Sequence, residues 1–322
     1  MEVKQITIDG LHRSCSKLVL GTSGLSRDEA AAFEMLDVFV ELGGNTLDTA
    51  HLYNQGCSER IIGKWMQARN NRDNIVIMDK GGHHLVREDG THDPSVNRVN
   101  PEAITQDMLE SMERLQVETI DLYVLHRDNP DMPVADLMDM LQAHIEAGRI
   151  IRAGVSNWSY ERIDAANRYA DQKGYHRLAI NSPSFSLAKA NEPRWPGTVY
   201  IDSEYERWHR HTQMPLFSWA SQASGFFTGR YSPVVRTNPD MVRVYYSEAN
   251  WERYRRAKAV AERVGGSYTA NHVALAYVLN QPFPTCAVIG PQNVAELRDC
   301  FRAVHLQVSA EDLRWVNLEA EN

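Results

Sequence analysis

The chain has 322 residues, of which 43% are hydrophobic and 24% charged, with 34 basic against 42 acidic side chains for a net charge of −8. That length admits one large barrel or two ordinary domains, and the composition is that of a soluble globular protein able to bury a sizeable core. The acidic balance is spread without blocks, which argues against a nucleic-acid partner, and no apolar run approaches the ~18 residues of a membrane span.

Four cysteines, Cys15, Cys57, Cys286 and Cys300, stand far apart with no CxxC pair. They suggest neither a disulfide framework nor a zinc site, so a reducing cytoplasm is the expected compartment. Met1-Glu2-Val3-Lys4 has neither the basic start nor the apolar centre of a signal peptide. His83-His84 and His209/His211 lack metal-ligand spacing, so no metal is expected.

In chain order, Lys17–Gly21 reads as a strand. Asp28–Leu42 reads as a helix with Ala32, Met35, Leu36, Phe39 and Val40 on one face. A short buried strand follows at Asn45–Asp48, then a helix from Ser58 to about Ala68. Asn74–Lys80 is the third strand, stopped by Gly81-Gly82, and a polar loop runs to Pro101, a proline placed to open a helix. Strand four is Ile120–His126, followed by a helix over Pro133–Ala147. Strand five is Ile150–Val155, with its helix from Ser159 to about Lys173, and strand six is Leu178–Asn181. Beyond an irregular Pro193–Gly197 stretch and a polar helix, Met214–Trp219 is strand seven. A long loop with Gly225, Gly229 and Pro233 leads to helices at Trp251–Val264 and His272–Asn280. Strand eight is Thr285–Gly290, with helices at Val294–Val304 and Ala310–Leu318.

Eight strands, each followed by a helix without a composition break, predict a single α/β domain over residues 1–322. The expected form is a (β/α)8 TIM barrel with long loops at the C-terminal rim and extra C-terminal helices. A doubly wound open sheet is the alternative, but no GxGxxG turn follows the first strand.

In such a barrel the residues at the carboxyl ends of the strands share one basin. Here they are Asp48 with nearby Tyr53, Lys80, His126, Ser156-Asn157, Asn181-Ser182, Trp219 and Gly290. Singly, Lys80 is a rim charge and His126 a satisfied histidine; together with Asp48 and Tyr53 they form a proton-transfer device. A phenol has an ordinary pKa of about 10, too high to give up its proton readily. An ammonium beside it stabilises the phenolate, and a carboxylate keeps that ammonium charged and aimed. An imidazole opposite can orient a carbonyl oxygen, which amounts to general acid catalysis at a carbonyl.

The chain resembles the aldo-keto reductases from the first strand to the last helix. Gly44–Tyr53 is similar to the family's G-x-N-x-x-D-T-A-x-x-Y signature, Ile77–Gly81 to its lysine strand, and Asp121–His126 to its histidine strand. Gly148–Asn157 is similar to its G-K-I-R-x-x-G-V-S-N run. The resemblance implies an enzyme reducing an aldehyde or ketone with hydride from a nicotinamide. Tyr53 would be the proton donor, Lys80 and Asp48 its tuning pair, and His126 the carbonyl-orienting group.

For the cofactor the resemblance implies Gly21, Thr22 and Asp48 at the near rim, and Ser156, Asn157 and Ser182 around the carboxamide. It implies Trp219 against the nicotinamide face. Ala220, Ser221, Gln222 and Gly225 would lie along the diphosphate, and Gly290, Gln292, Asn293 and Glu296 at the adenosine end. Ser182 stands where a glutamine is usual, Gln292 where arginine is common and Cys300 where asparagine is common. NADP(H) is the expected cofactor, with NAD(H) or dual use open.

His83, His84, Arg127 and Asp128 are the substrate candidates, in loops that also carry Arg87, Asp89, His92, Asp93 and Asn129. Such loops suit a sugar or other polyhydroxylated carbonyl, and Trp195, Tyr200 or Trp208 could add an apolar wall. Two rivals stay open: a nucleotide-binding sensor barrel without turnover, and a Lys80 Schiff-base isomerase or lyase. The oligomeric state is not legible.

Overall fold

The computed structural model describes residues 4–87, 89 and 91–319. The amino-terminal Met1–Val3 and the side chain of His92 lie outside what it describes. Eight parallel strands are β1 (Leu18–Gly21), β2 (Thr46–Asp48), β3 (Val76–Gly81), β4 (Ile120–Leu125), β5 (Ile150–Val155), β6 (Ile180–Asn181), β7 (Leu216–Ser218) and β8 (Thr285–Ile289). They close into one barrel, because β8 returns to pair with β1 in the register Ala287↔Leu18, Val288↔Val19 and Ile289↔Leu20. That closure removes the open-sheet alternative.

The helices are α1 (Glu29–Glu41), α2 (Cys57–Arg69), α3 (Pro101–Leu115), α4 (Val134–Glu146), α5 (Tyr160–Lys173) and α6 (Ser203–Thr212). They continue with α7 (Pro239–Tyr245), α8 (Glu248–Val264), α9 (Ala270–Leu279), α10 (Val294–Arg302) and α11 (Ala310–Val316). Side-chain caps fix several of their starts. Asp28 accepts from Ala30 N, Ser159 from Arg162 N, and Asn293 from Glu296 N; Asn100 accepts from Ala103 N just before Pro101. Each cap satisfies a backbone N–H that the helix itself leaves unpaired.

The alternation of side chains along a strand decides which residues reach the basin. Val76 and Met78 of β3, and Leu122 and Val124 of β4, belong to the barrel-interior cluster with Val19, Ile180, Phe217, Cys286 and Val288. Ile77, Tyr123 and Leu125 pack outward against the helices. Continuing the same parity to the carboxyl ends puts Lys80 and His126 on the inner face. It does the same for Asp48, Ser182, Trp219 and Gly290. Ile8 from the amino-terminal segment joins the interior cluster at the opposite end of the barrel.

Three features differ from the sequence expectation. Two antiparallel ribbons, Gln5–Ile6 with Cys15–Ser16 and Leu85–Val86 with His92–Asp93, fall where no strand was expected. Helix α7 occupies part of the long loop after β7, opened by Asn238 as cap and Pro239. The later strands are also shorter than read: β6 holds two residues and β7 three. Pro215 accounts for part of this, since it has no N–H to give the ladder at the start of β7.

Candidate active site

Asp48 ends β2, and the chain passes through Thr49 and Ala50 into a tight 3-10 turn, Tyr53–Gly56, that leads into α2. Asn54 and Gln55 in that turn are left-handed, at φ 51° and 59°. The sharp turn returns the Tyr53 ring over the strand end. Lys80, next to last in β3, forms an ion pair with Asp48, donates to Thr49 O at 3.0 Å, and donates to the Tyr53 hydroxyl at 3.1 Å. Its ammonium also lies 4.7 Å from the Tyr53 ring centre. His126 meets Tyr53 edge-on with ring centres 5.8 Å apart. The four groups expected to converge therefore do so.

Burial is the largest influence on each of these groups. It presses the Lys80 ammonium downward, but the Asp48 carboxylate and the Tyr53 hydroxyl outweigh it, and the net shift is upward. Lys80 is thus a charged ammonium at neutral pH, which is the wrong form for a Schiff-base nucleophile. Burial raises the Tyr53 phenol, opposed by Lys80, and the net shift is again upward. Asp48 is likewise raised by burial against the pull of Lys80. His126 is driven well below the ordinary histidine value by burial, helped by His83, Arg127, Lys80 and His84. It is a neutral imidazole, and its buried Nδ1 has no hydrogen-bond partner among the described residues.

The substrate candidates divide. His83 is buried with its ring centre 5.0 Å from that of His126, and His84 lies against it at 4.1 Å. Arg127 is buried beside them. Asp128 is engaged instead by Arg162 of α5 at 2.6 Å, so it is held in an ion pair that sequence could not show. Arg87, Asp89 and Asp93 serve the ribbon: Arg87 pairs with Asp93 at 2.5 Å, and Asp89 accepts from Thr91. A cavity of about 480 Å³ abuts Lys80 and Gly81, lined also by Leu52, Gln55, His83, His84 and Arg98.

The cofactor candidates lie on the other side of the rim. A cleft of about 810 Å³ runs past Trp219, Ala220, Ser221, Gln222, Gly225, Gly290, Gln292 and Glu296 to Cys300. That volume is in the range of small-molecule sites. Ala223, Ser224 and Gly225 are left-handed in succession (φ 46°, 54° and 83°). A left-handed turn of this kind can direct backbone N–H groups at an anion. Arg194 and Arg230 also line the cleft, and no sequence signal had marked either one. Gly21 is needed at the near rim, since a Cβ there would meet Val288 Cγ1 at 3.0 Å and Ile289 O at 3.1 Å. Thr22 donates through both N and Oγ1 to Asp48 O, which ties the end of β2 to that of β1.

The carboxamide candidates are bonded to one another. Asn157, left-handed at φ 62°, donates its amide to His126 O at 3.1 Å and to Ser156 Oγ at 2.9 Å. Its Oδ1 accepts from Val199 N and from Trp219 Nε1. Ser156 Oγ donates to Ser182 O and Ser182 Oγ to Phe217 O. The two serines keep spare lone pairs for an amide donor, while both Asn157 amide hydrogens are committed. Asn181 points away from this group, to Tyr205 and His209 of α6. At the adenosine end, Asn293 caps α10 and Glu296 accepts from Gln292 N at 2.9 Å. In the left-handed turn after β7, Ala223 N and Gly225 N donate to Ala220 O and Gln222 O. The cleft thus offers an aromatic face and two guanidinium groups, a set that fits a dinucleotide with a charged diphosphate.

Of the aromatic wall candidates, Trp195 lies against Trp219 with ring centres 5.8 Å apart. Tyr200 is exposed, and Trp208 is bonded to Asp164 on the outer side of the barrel, away from the rim.

A closed parallel barrel with a carboxylate, an ammonium, a phenol and an imidazole gathered at its C-terminal rim has the layout of a barrel enzyme. The aldo/keto reductase family model matches residues 17–317, and the chain belongs to that family. It is a nicotinamide-dependent oxidoreductase. It is 28% identical to the aldo-keto reductase ausK of Aspergillus calidoustus, over 90% of this chain and 73% of that protein. In fold it is similar to the glycerol dehydrogenase AKR11B4 from Gluconobacter oxydans, with a TM-score of 0.78 at 22% identity over 99% of this chain and 95% of that one. It is also similar to the aldo-keto reductase AKR11C1 from Bacillus halodurans in its holo form, with a TM-score of 0.76 at 22% identity over 99% and 97%. At that identity the two structures speak to fold alone. Among the described residues no helix is long and apolar enough to cross a membrane.

Proposed function

We propose that the protein reduces the carbonyl of a polyhydroxylated substrate, a sugar or a related aldehyde or ketone, to the alcohol. The observation that carries this reading is the Asp48–Lys80–Tyr53 chain of contacts with His126 at its edge. A reduced nicotinamide supplies hydride when bound. Tyr53 holds the proton that the carbonyl oxygen takes up, and burial keeps that proton in place until it is needed. Lys80 stabilises the phenolate left behind, while Asp48 prevents the buried ammonium from losing its charge. Neutral His126 donates to the carbonyl oxygen and fixes its approach. Ser156 and Ser182 accept from the carboxamide, and Trp219 offers its face to the ring.

The substrate class is supported by the polar wall that His83, His84 and Arg98 give the cavity beside Lys80. Hydroxyl-rich molecules need many paired donors and acceptors, and a site built to supply them rejects analogues that lack those groups. We assign NADP(H) as the preferred cofactor. Arg194 and Arg230 supply positive charge in the cleft, although Gln292 leaves no guanidinium at the usual place for a 2′-phosphate. The single polypeptide is read as one catalytic domain acting in the cytoplasm on a small molecule.

The test is a cofactor-oxidation screen over aldoses, ketoses and simple aromatic aldehydes with NADPH and NADH. Turnover of hydroxylated carbonyls with NADPH favoured is the expected result. Turnover of aromatic aldehydes alone would remove the substrate class, and a hundredfold preference for NADH would remove the NADP(H) assignment.

A further inference from the structure

The segment between β6 and α6 contains the run Pro193-Arg194-Trp195-Pro196-Gly197. Each proline fixes its own φ and confines the residue before it to extended backbone, so the run is stiff. Gly197 then turns the chain at φ 70°. Arg243 of α7 pins the approach: it pairs with Glu192 at 2.6 Å and donates to Pro193 O at 3.1 Å and to Arg194 O at 2.9 Å. On the far side, Thr198 donates to Trp195 O through N at 3.1 Å and Oγ1 at 2.7 Å.

The two side chains held in this way line the 810 Å³ cleft from outside the motifs at the strand ends. Trp195 lies against Trp219, and the Arg194 guanidinium stacks on Trp195, 4.7 Å from its ring centre. Nη1 of Arg194 donates to Ser224 Oγ in the left-handed turn after β7. A guanidinium has five N–H donors. Among the described residues this is the one hydrogen bond that the Arg194 side chain makes; its buried Nε has no acceptor, and no carboxylate pairs with it. Arg230, the other arginine of the cleft, is exposed. Arg194 is therefore the cation already ordered there, with donors to spare. Stacking and the Ser224 bond have restricted its rotamers, so binding an anion costs little further ordering. A charge-assisted bond to a phosphate oxygen is also stronger than one to a neutral hydroxyl.

We propose that Arg194 is a cofactor-binding residue that receives an oxygen of the dinucleotide's diphosphate, with Arg243 as the positioning residue that holds its segment in place. This rests on the reading of the cleft as the cofactor site. Arg194 meets the cleft at Trp219 and Ser224, whereas Gln292 and Glu296 flank the start of α10, where the adenosine end is expected. It thus serves the charge common to NAD(H) and NADP(H) and leaves any preference for the 2′-phosphate to Arg230.

The experiment titrates NADPH and NADH into the cofactor-free protein by calorimetry and follows their release by stopped flow. Arg194→Met should weaken both cofactors alike, by about 10- to 100-fold, the range for a hydrogen bond to a charged group. The ratio of the two affinities should stay as in the parent protein. Arg194→Lys keeps the charge without the planar stack and should show the same equal loss in smaller measure. It carries the test should Arg194→Met melt early. Arg243→Met leaves the cleft lining intact but frees the segment. It should speed release of both cofactors by roughly 2- to 10-fold at an unchanged melting temperature.

Unchanged affinity for both cofactors in the Arg194 variants would overturn the proposal. So would a loss confined to NADPH, which would assign Arg194 to the 2′-phosphate instead. Release unchanged in Arg243→Met would remove the positioning role. If Trp219→Leu weakens cofactor binding and the Arg194 variants do not, the cleft reading stands and the proposal alone fails. If none of these substitutions changes affinity, the cleft is not the cofactor site and both fail.

Discussion

The rim of the barrel has two halves built on different principles. On the side of β2, β3 and β4 the reactive groups are fixed to strand ends or one tight turn away. On the side of β6, β7 and β8 the strands shrink to as few as two residues, and binding groups come from loops. The first half is an ionic cluster, with Lys80 holding both Asp48 and Tyr53. The second is a lattice of neutral hydrogen bonds, in which Asn157 links Ser156, His126, Val199 and Trp219. Groups that must keep a proton or a charge in place sit at strand ends or in the adjoining tight turn, where a small misplacement costs rate. Groups that must wrap a large ligand are mounted where the backbone can follow its shape.

If labour is divided this way, substitutions in the two halves should have opposite signatures. The largest effect is expected from Tyr53→Phe. It removes the proton that the reacting oxygen takes up and should lower kcat by about 10²–10⁴-fold, while cofactor affinity by fluorescence titration stays within a factor of two or so. The same residue sets a pH test. Burial holds the phenol above 10 despite Lys80. Rising pH therefore strips the proton donor only beyond that value, and carbonyl reduction should show no loss from this group between pH 6 and 9. A fall in kcat centred below pH 9 that disappears in Tyr53→Phe would contradict the assignment.

Next in size is Lys80→Met, which strands the buried Asp48 carboxylate without its cation. A loss of stability of about 3–5 kcal/mol is expected from denaturant melts, together with loss of turnover. Adding Asp48→Asn should recover much of the stability and none of the activity. If the single variant melts like the parent protein, the ionic cluster is not the structural anchor described above.

The smallest effect belongs to the loop half. Trp219→Leu removes the aromatic face and its bond to Asn157, and should weaken cofactor binding by roughly 2- to 10-fold. With cofactor saturating, kcat should change little. A collapse of kcat with unchanged affinity would show that the halves are not separable.

These two halves were also unequally legible. Asp48, Lys80 and His126 could be placed because a period of two carries an inner-face residue from the core of a strand to its end. Val76, Met78 and Lys80 follow one another by that rule, as do Leu122, Val124 and His126. Tyr53 lies beyond its strand and was placed by the resemblance of Gly44–Tyr53 to a family signature. The loop half offers no such rule. Arg194 and Arg230 reach the cleft from irregular segments, and nothing in their local sequence distinguishes them from solvated arginines. Asp128 and Arg127 are neighbours in the chain, yet Asp128 is paired with Arg162, while Arg127 donates to His126 O and forms no ion pair among the described residues.

Sequence alone determined the barrel, the order of its strands and the identity of its reactive groups. Local periodicity carries Asp48, Lys80 and His126 to one face, and Tyr53 follows from the resemblance of Gly44–Tyr53 to a family signature. Only the tertiary structure decided which charges are paired and which amide hydrogens are already spent. Pairing and burial depend on segments distant along the chain, such as α5 reaching Asp128, and no local rule reports them.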